Sequence, residues 1–367
     1  MMNRMIILGL ILSCTQSLYP QIKAEQKKSD AIVKALSELV ESGKAPGMIA
    51  AIASSEGIIA IGSSGVRKVG HKESITCNDL VHLGSCTKAM TSVMLATLVA
   101  EGKLDWEMKL VDAIPDLKKS IHPDYQNITL WELLTHRAGI SSNPINWWSN
   151  SSKEIKERRL SILKENLSSP PSLKRGEFNY SNFGYVIAAC MAEKVTGQSW
   201  EFLMKQRLFD PLGMSSAGFG DPSSQSIDQP WGHSGSGGSW QPSKSYDAEA
   251  IGPAGEVHCS IADWAKFLSL FMPGKNAVLD ETYINKLVEP TGFYAGGWGI
   301  INDRPWAKGK VLTHNGSNGI WYATVVVAPM IGRAYVVVTN SRDFSSTEEM
   351  CAETINKLVR IDMNSNQ

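Results

Sequence analysis

The sequence lacks an excess of charge of either sign. Lysine plus arginine and aspartate plus glutamate number 36 each, so the formal net charge at pH 7 is zero. There is also no basic tract and no long acidic block. Because nucleic acids and anionic membrane surfaces bind proteins through clustered positive charge, we do not expect either as the main partner.

Cysteines are few and irregularly spaced. None of the six forms a Cys-x-x-Cys pair, so no zinc or redox motif is indicated. If Cys14 is removed with an N-terminal segment, five cysteines remain, and this odd number leaves at least one thiol free. Buried free thiols are the simplest interpretation of these cysteines. The six are Cys14, Cys77, Cys86, Cys190, Cys259 and Cys351.

No hydrophobic run is long enough to cross a bilayer. The N-terminal one extends from Met5 to Leu12 behind the basic residue Arg4, which is typical of a secretory signal peptide. We therefore expect residues 1–24 to be a signal peptide of an exported bacterial protein. The cleavage site stays open between Cys14 and Ala24. Cleavage at Cys14 would leave a membrane-anchored lipoprotein, with that lipid as the membrane contact, and cleavage at Ala24 a periplasmic protein.

Both ends of the remaining chain carry strand patterns. Residues 47–65 contain two apolar runs around a turn sequence, and residues 322–341 contain two runs rich in β-branched residues. Each pattern predicts a β-hairpin. Amphipathic patterns at residues 30–41 and 347–361 predict helices beside these hairpins.

The middle of the chain is mostly helical by its hydrophobic period. An economical arrangement packs the terminal hairpins into one antiparallel sheet flanked by helices, with a mainly helical region inserted at about residues 85–250. The predicted fold class is therefore α/β of the α+β type, with one domain over residues 25–367. The inner helices are predicted at Thr87–Glu101, Leu130–Thr135, Lys153–Leu167, Phe183–Lys194 and Ile261–Phe271.

Ser85 and Lys88 form a Ser-x-x-Lys pattern where a helix begins. Residues three apart are neighbours on a helix, so the hydroxyl and the amine would share one face. Free N–H groups at the helix start can stabilise an oxyanion. Desolvation would lower the pKa of the lysine and make it a base. A second copy, Ser161 to Lys164, lies within a highly charged helix and is interpreted as solvent-exposed.

Two further motifs follow along the chain. Tyr180 and Asn182 stand just before a buried-looking helix, where a phenol can transfer a proton and an amide can hold a substrate or the lysine. His314 and Gly316 stand just before a strand, where glycine lets the backbone approach a ligand closely. His233, in a glycine-rich loop, is an alternative to His314.

The order Ser-x-x-Lys, Tyr-x-Asn, His-x-Gly resembles the serine β-lactamase-related family, which includes class C β-lactamases, D,D-peptidases, D-aminopeptidases and esterases. Blocks such as "ITLWELLTHRAGI" and "GPAGEVHCSIADWAKF" are also similar, and the similarity extends from about Asp30 to Leu358. The resemblance implies the β-lactamase/transpeptidase fold. It implies no metal and no organic cofactor. The expected partner is a small-molecule or peptide substrate, and the oligomeric state is not predicted.

The resemblance also implies roles for individual residues. Ser85 would be the acylated nucleophile, Lys88 its base or proton partner, and Tyr180 the proton shuttle. Which of Lys88 and Tyr180 is the formal base stays open. The oxyanion hole would be formed by the backbone N–H groups of Ser85 and Ser317. The residues expected to bind substrate are Asn182, His314, Gly316, Ser317 and Trp321.

The chain departs from class C β-lactamases at His314, where those enzymes carry a lysine that helps to hold the carboxylate of a β-lactam. A neutral imidazole holds a carboxylate less well, by roughly 1.5–3 kcal/mol. The sequence therefore favours an esterase or an amide or peptide hydrolase over a β-lactamase or D-alanyl-D-alanine peptidase. Trp321 either forms an apolar acyl pocket or packs as an ordinary strand residue. Trp147 and Trp148 are candidates for the rim of the cleft.

Two other interpretations remain. The chain could be a non-catalytic binding protein on the same scaffold, although the intact Ser85, Lys88 and Tyr180 favour an enzyme. Cys86 could be the nucleophile, because thiolates are better nucleophiles than hydroxyls. One residue along a helix turns a side chain by about 100°, away from Lys88, so Cys86 is predicted to be a packed small residue.

Overall fold

The structure is a computed structural model of the chain. It describes residues 25–148, 153–223, 227–244, 248–274 and 278–364. The predicted signal peptide, with Cys14, lies outside these ranges. Within them, every helix is too short or too polar to span a bilayer.

The central element is a six-stranded antiparallel sheet with the strand order β2-β1-β11-β10-β9-β8. The strands are β1 Gly47–Ser54, β2 Gly57–Gly65, β3 Leu80–His82, β4 Gly218–Phe219, β5 Gly232–Ser236, β6 Ser239–Ser243, β7 Val257–Ser260, β8 Gly299–Arg304, β9 Gly309–Ser317, β10 Tyr322–Ala328 and β11 Arg333–Thr339. Strand β1 pairs with β11, so the two ends of the chain meet in the middle of the sheet. Both predicted hairpins and the sheet built from both chain ends are confirmed.

Helices cover both faces of this sheet. They are α1 (residues 25–41), α2 Thr87–Ala100, α3 Leu110–Ala113, α4 Leu130–Leu134, α5 Ile155–Asn166, α6 Asn182–Thr196, α7 Trp200–Met204, α8 Asp210–Leu212, α9 Ile261–Leu268, α10 Glu281–Leu287 and α11 Thr347–Asn364. The predicted inner helices are confirmed, with ends that differ by a few residues. The last turn predicted for α9, Ser269–Phe271, is a separate 3-10 turn.

The alternation of side chains along β1 creates two cores. Met48, Ala50 and Ile52 pack with residues of α1 and α11. Ile49 and Ala51 face the opposite way, into the larger core shared with the helical region. This period of two is what a strand buried on both faces requires. It fixes the helical region against one face of the sheet.

Short strands interrupt the predominantly helical interior. Strands β3, β7 and β4 form a small antiparallel sheet, and β5 and β6 form a two-stranded ribbon. The small sheet matters for the site, because β3 ends at His82, three residues before Ser85. Its pairing with β7 anchors the chain where the candidate nucleophile begins.

A buried ionic cluster ties α5, α6 and α7 together. The Arg159 guanidinium donates to Glu193 at 2.7 Å and forms a second ion pair with Glu201. It also donates to the carbonyl oxygen of Glu249 at 2.8 Å. Removing one member of such a cluster leaves a buried charge without its partner, which is strongly destabilising. The cluster therefore fixes α5, α6 and α7 relative to one another.

Candidate active site

Ser85 lies in a tight turn between β3 and α2. Residues Gly84–Cys86 form one 3-10 turn, and α2 follows directly at Thr87. Gly84 has φ +50°, in the left-handed region that glycine adopts without strain. The His82 ring supports the turn by accepting a hydrogen bond from the Gly84 N–H at 3.1 Å. Ser85 is thus held immediately before the start of a buried helix.

Lys88 brings its amine to Ser85 from the first turn of α2. The Lys88 side chain is completely buried, and its Nζ lies 3.1 Å from Ser85 Oγ. The same nitrogen donates to Asn182 Oδ1 and to the Ala254 carbonyl oxygen, each at 2.7 Å. Two of its three neighbours are carbonyl oxygens, which can only accept. A neutral amine therefore donates both of its N–H groups to these two carbonyl oxygens, and its lone pair is directed at the Ser85 hydroxyl.

Burial favours this neutral amine. Desolvation lowers the pKa of Lys88 well below its usual value, and only a weaker interaction with Cys86 opposes the shift. No carboxylate among the described residues is hydrogen-bonded to its Nζ. A buried ammonium without a counter-ion is unfavourable, so the group releases its proton instead.

Tyr180 completes the group around Ser85. The Lys88 Nζ lies 4.8 Å from the centre of the Tyr180 ring. Burial raises the pKa of Tyr180, and a side-chain hydrogen bond with Ser85 acts in the opposite direction. The phenol is therefore protonated at neutral pH and can deliver a proton. The hydroxyl, the amine and the phenol are thus brought together as the sequence predicted.

Asn182 is oriented by a contact that the sequence did not reveal. It is the first residue of α6, and its Nδ2 donates to Asn143 Oδ1 at 2.8 Å. This bond turns the Asn182 carbonyl oxygen toward Lys88. The loop that carries Asn143 also carries Trp147, which lines the cleft beside Ser85. The orientation of Asn182 therefore depends on a loop that also forms part of the cleft.

Two glycines bring the proposed oxyanion donors together. A Cβ atom on Gly84 would lie 2.3 Å from the Ser317 amide nitrogen, and one on Gly316 would lie 2.7 Å from the Ser85 amide nitrogen. Real Cβ atoms do not approach other atoms this closely, so both positions require glycine. Their close packing places the turn at Ser85 against the end of β9.

Gly84→Ala tests this packing. We expect turnover to fall by about a hundredfold or more, because the methyl group forces the turn away from Ser317 and removes an oxyanion donor. Gly102→Ala is the matched control: Gly102 has a similar φ of +68° but open space around the new Cβ. The measurement is kcat and thermal stability for both variants. Equal loss of activity in the two would contradict this account of Gly84.

A cleft opens above Ser85. It is lined by Ser85, Trp147, Asn182, Ala248, Ile251, Ala254, Gly255, Glu256, Ser317 and Asn318. The wall is mostly apolar, and Glu256 is the only one of these described residues with a formal charge. Trp147 contributes to the wall, whereas Trp148 is 62% exposed and is not part of the lining. The cleft can accept an apolar acyl group beside the hydroxyl.

His314 lies behind Tyr180 rather than in the cleft wall. It is buried, its ring centre is 6.2 Å from that of Tyr180, and Tyr294 donates to its Nε2 at 2.9 Å. Its Nδ1 donates to the Asn315 carbonyl oxygen at 2.7 Å. Burial lowers the pKa of His314 to about 3, and Lys88 adds to the shift. The imidazole is therefore neutral, with both nitrogens used inside the protein.

Two other expected substrate-binding residues are also set back from the cleft. Trp321 is 1% exposed and packs within the larger core, against Gly232. The structure therefore matches the second alternative: Trp321, just before β10, packs in the core and does not form an acyl pocket. Gly316 is buried against the Ser85 turn. Of the expected substrate-binding residues, Asn182 and Ser317 line the cleft.

Cys86 is a packed side chain, as the helical geometry predicted. It is 2% exposed, and its Sγ contacts the His314 carbonyl oxygen at 3.6 Å. Burial raises the pKa of its thiol far above the usual value. A thiol that neither reaches solvent nor ionises is a poor nucleophile.

A cluster of aromatic rings behind Tyr180 was not identified from the sequence. His136 and Tyr294 are both buried there, with ring centres 4.7 Å apart. His136 stands within the block "ITLWELLTHRAGI", which was singled out for its family similarity but without a role for the histidine. Nothing in the local pattern indicates that a residue at 136 touches one at 180.

The comparisons with known proteins agree with this geometry. The sequence model described as Beta-lactamase matches residues 32–359. The chain therefore belongs to the β-lactamase family and is a serine hydrolase of that family.

Relatives and solved structures are similar over most of the chain. The "Penicillin-binding protein 4" of Amycolatopsis lactamdurans is 23% identical over 76% of this chain and 76% of its own length. The "Unguisins hydrolase ungD'" of Aspergillus campestris is also 23% identical, and the chain spans 53% of its length. A D-amino acid amidase from Ochrobactrum anthropi SV3 superposes with a TM-score of 0.73 at 21% identity, covering 93% of this chain and 100% of that one. A class C β-lactamase from Rhodobacter sphaeroides superposes with a TM-score of 0.74 at 17% identity, covering 90% and 100%. These structural similarities establish the fold.

Proposed function

We propose that this protein hydrolyses an ester or an amide or peptide substrate through an acyl-enzyme on Ser85. The observation that carries the proposal is the buried Lys88 amine, whose two N–H groups are taken by carbonyl oxygens while Ser85 Oγ lies 3.1 Å away. A hydroxyl beside a neutral amine, at the edge of an open cleft, can be deprotonated as it attacks a carbonyl.

The reaction proceeds in two halves. The proton of Ser85 passes to the Lys88–Tyr180 pair while Oγ bonds to the carbonyl carbon, and the N–H groups of Ser85 and Ser317 stabilise the oxyanion. Tyr180 then protonates the leaving alcohol or amine as its bond to carbon breaks. In the second half, water gives a proton to the same pair and attacks the acyl carbon, and the proton returns to Ser85 Oγ.

The cleft favours substrates without a carboxylate near the reacting bond. None of the described residues that line the cleft is a lysine or an arginine, so the wall offers no cation to pair with a carboxylate. The neutral His314 offers no free N–H and no positive charge in its place. The apolar residues of the wall, among them Trp147 and Ile251, suit an apolar acyl group.

A substrate panel tests this preference. We expect short-chain p-nitrophenyl esters to be turned over with a higher kcat/KM than nitrocefin, by about tenfold or more, because a β-lactam carries a carboxylate. D-amino-acid amides and D-alanyl-D-alanine peptides complete the panel, since one structural neighbour is a D-amino acid amidase. Higher turnover of nitrocefin than of any ester would contradict the interpretation of His314 and favour a β-lactamase.

Export belongs to the same proposal. The N-terminal pattern of Arg4 followed by residues 5–12 supports a signal peptide, with the domain beginning near residue 25. Cleavage at Cys14 would leave a lipoprotein. Expression in a bacterium followed by fractionation and N-terminal mass analysis distinguishes a lipidated Cys14 from cleavage near Ala24, and an uncleaved cytosolic product would contradict export.

A further inference from the structure

His136 is a buried histidine in contact with Tyr180. It is 2% exposed, and the centres of the two rings are 4.4 Å apart. The residue follows α4 and has φ +60°, an uncommon value for a residue other than glycine. A bulky side chain held in this conformation and buried beside the reacting groups requires an explanation.

Hydrogen bonds from His136 hold the chain on both sides of Tyr180. The His136 carbonyl oxygen accepts from the Asn179 N–H at 2.8 Å. Its ring Nδ1 accepts from the Ser181 N–H at 3.0 Å. The residue before and the residue after Tyr180 are therefore fixed to the same histidine, and the ring packs on the phenol between them.

The His136 ring can accept the hydrogen bond from the Ser181 N–H because the ring is neutral. Burial lowers the pKa of His136 to about 2, with smaller contributions from Lys88 and His314. Since Nδ1 accepts from Ser181, the ring proton is on Nε2, which has no partner among the described residues. Protonation of Nδ1 would break the bond to Ser181 and bury a positive charge without a counter-ion.

We propose that His136 is a positioning residue, whose Nδ1 fixes the Ser181 backbone and thereby directs the Tyr180 phenol at Ser85 and Lys88. The inference rests on the proposed function, because it assigns a purpose to the orientation of Tyr180. The segment at 179–181 has no regular secondary structure, so individual hydrogen bonds hold it. The Asn179 and Ser181 side chains donate to the carbonyl oxygens of residues 140 and 141, and the two backbone N–H groups donate to His136. A displacement of about 1 Å in a proton-transfer group lowers the rate by about a hundredfold.

Substitutions that keep or remove the acceptor test the proposal. His136→Asn places Oδ1 where Nδ1 was, and asparagine tolerates a positive φ. His136→Phe keeps an aromatic ring but has no acceptor. His136→Gly also lacks the acceptor and tolerates the positive φ, so it replaces the phenylalanine variant if that one does not fold. Phe178→Leu loosens the same cluster but keeps the acceptor for the Ser181 N–H, because Phe178 contacts the His136 ring edge-on and makes no bond to Ser181.

The measurements are kcat, KM and the pH profile of kcat/KM for a p-nitrophenyl ester, with thermal unfolding of each variant. We expect the phenylalanine and glycine variants to lose about a hundredfold in kcat with little change in KM, and the asparagine variant to lose less than about fivefold. The pH profile should move by about half a unit or more only when the acceptor is absent. The titratable groups that face Tyr180 and His136 in this cluster are Cys86, Lys88, Tyr185, Tyr294 and His314.

Different results would contradict the positioning role of His136 and the acyl-enzyme reaction on Ser85. Equal kcat for the asparagine and acceptor-free variants would overturn the positioning role, as would a loss in Phe178→Leu that equals theirs. A lower kcat with an unmoved pH profile would also overturn it, since that is the result of a merely structural role. Absence of ester, amide and β-lactam turnover in the unaltered protein would instead contradict the proposed function.

Discussion

Ser85→Ala is expected to lower turnover of the best substrate by about 10⁴-fold or more. The alanine variant keeps the helix, the lysine and the cleft but has no atom that can bond to the substrate carbonyl. Because Ser85 lies in a turn at the cleft surface, removal of its hydroxyl should leave the thermal unfolding midpoint nearly unchanged. The comparison requires purified protein, the ester found in the panel and a circular dichroism melt of both forms.

Cys86→Ala is the matched control for this substitution. Cys86 is the next residue along the chain and the other small nucleophile, but its thiol is buried and faces the His314 carbonyl oxygen. We expect the alanine variant to retain turnover within about fivefold, with a small loss of stability from the missing sulfur atom. Turnover that survives Ser85→Ala but not Cys86→Ala would identify a cysteine hydrolase. Catalytically inactive wild-type protein would favour the non-catalytic scaffold.

The second large effect is a loss of stability in acid. Burial lowers the pKa of His82 to about 3, of His136 to about 2 and of His314 to about 3. In the unfolded chain these side chains titrate near pH 6.5. Below that pH the unfolded state binds protons that the folded state does not, so the free energy of unfolding falls as the pH falls. Each of these three histidines contributes about 1.4 kcal/mol per pH unit, so together they contribute about 4 kcal/mol per pH unit. Burial also lowers the pKa of His233 and His258, which act in the same direction.

Denaturant titrations between pH 8 and pH 4 measure this dependence. Typical domains are stable by about 5–15 kcal/mol, so the protein is expected to unfold within roughly one to four units below pH 6.5. His82→Asn should lower the number of protons taken up on unfolding by about one, because one buried neutral histidine is removed. The slope of the free energy of unfolding against pH then becomes less steep. His71→Asn makes the same substitution at an exposed position and is the matched control. A free energy of unfolding that stays constant from pH 7 to pH 5 would contradict the assignment of three neutral buried histidines.

Much of the fold was predictable because it is encoded locally. The β-branched runs at 322–341 and the turn between them determine a hairpin without reference to distant residues, and β10 and β11 confirm it. The Ser-x-x-Lys spacing likewise determines that the two side chains share a face. Lys88 and Ser85 are neighbours in the structure for this reason.

The parts that could not be predicted depend on contacts between distant segments. The sequence placed His314 just before a strand, whereas it lies within β9, and this was wrong because the run before it has few β-branched residues. Its ring is buried in contact with Tyr294, which comes from a distant part of the chain. Trp321 was ambiguous because a large apolar residue beside a glycine-rich turn fits a pocket and a core equally well. His136 and Tyr180 are 44 positions apart, and only the folded chain brings the ring onto the phenol. Helix and strand periods carry no information about such pairs.

The most direct test is to locate the covalent adduct of a fluorophosphonate by peptide mass spectrometry. If a buried, neutral amine at position 88 makes one hydroxyl reactive, the adduct is confined to that hydroxyl. We expect a single phosphonyl group on the peptide containing residues 84–88, attached to Ser85 and absent when Lys88 is replaced by methionine. An adduct on Cys86, on a serine outside the cleft, or undiminished in the methionine variant would contradict it.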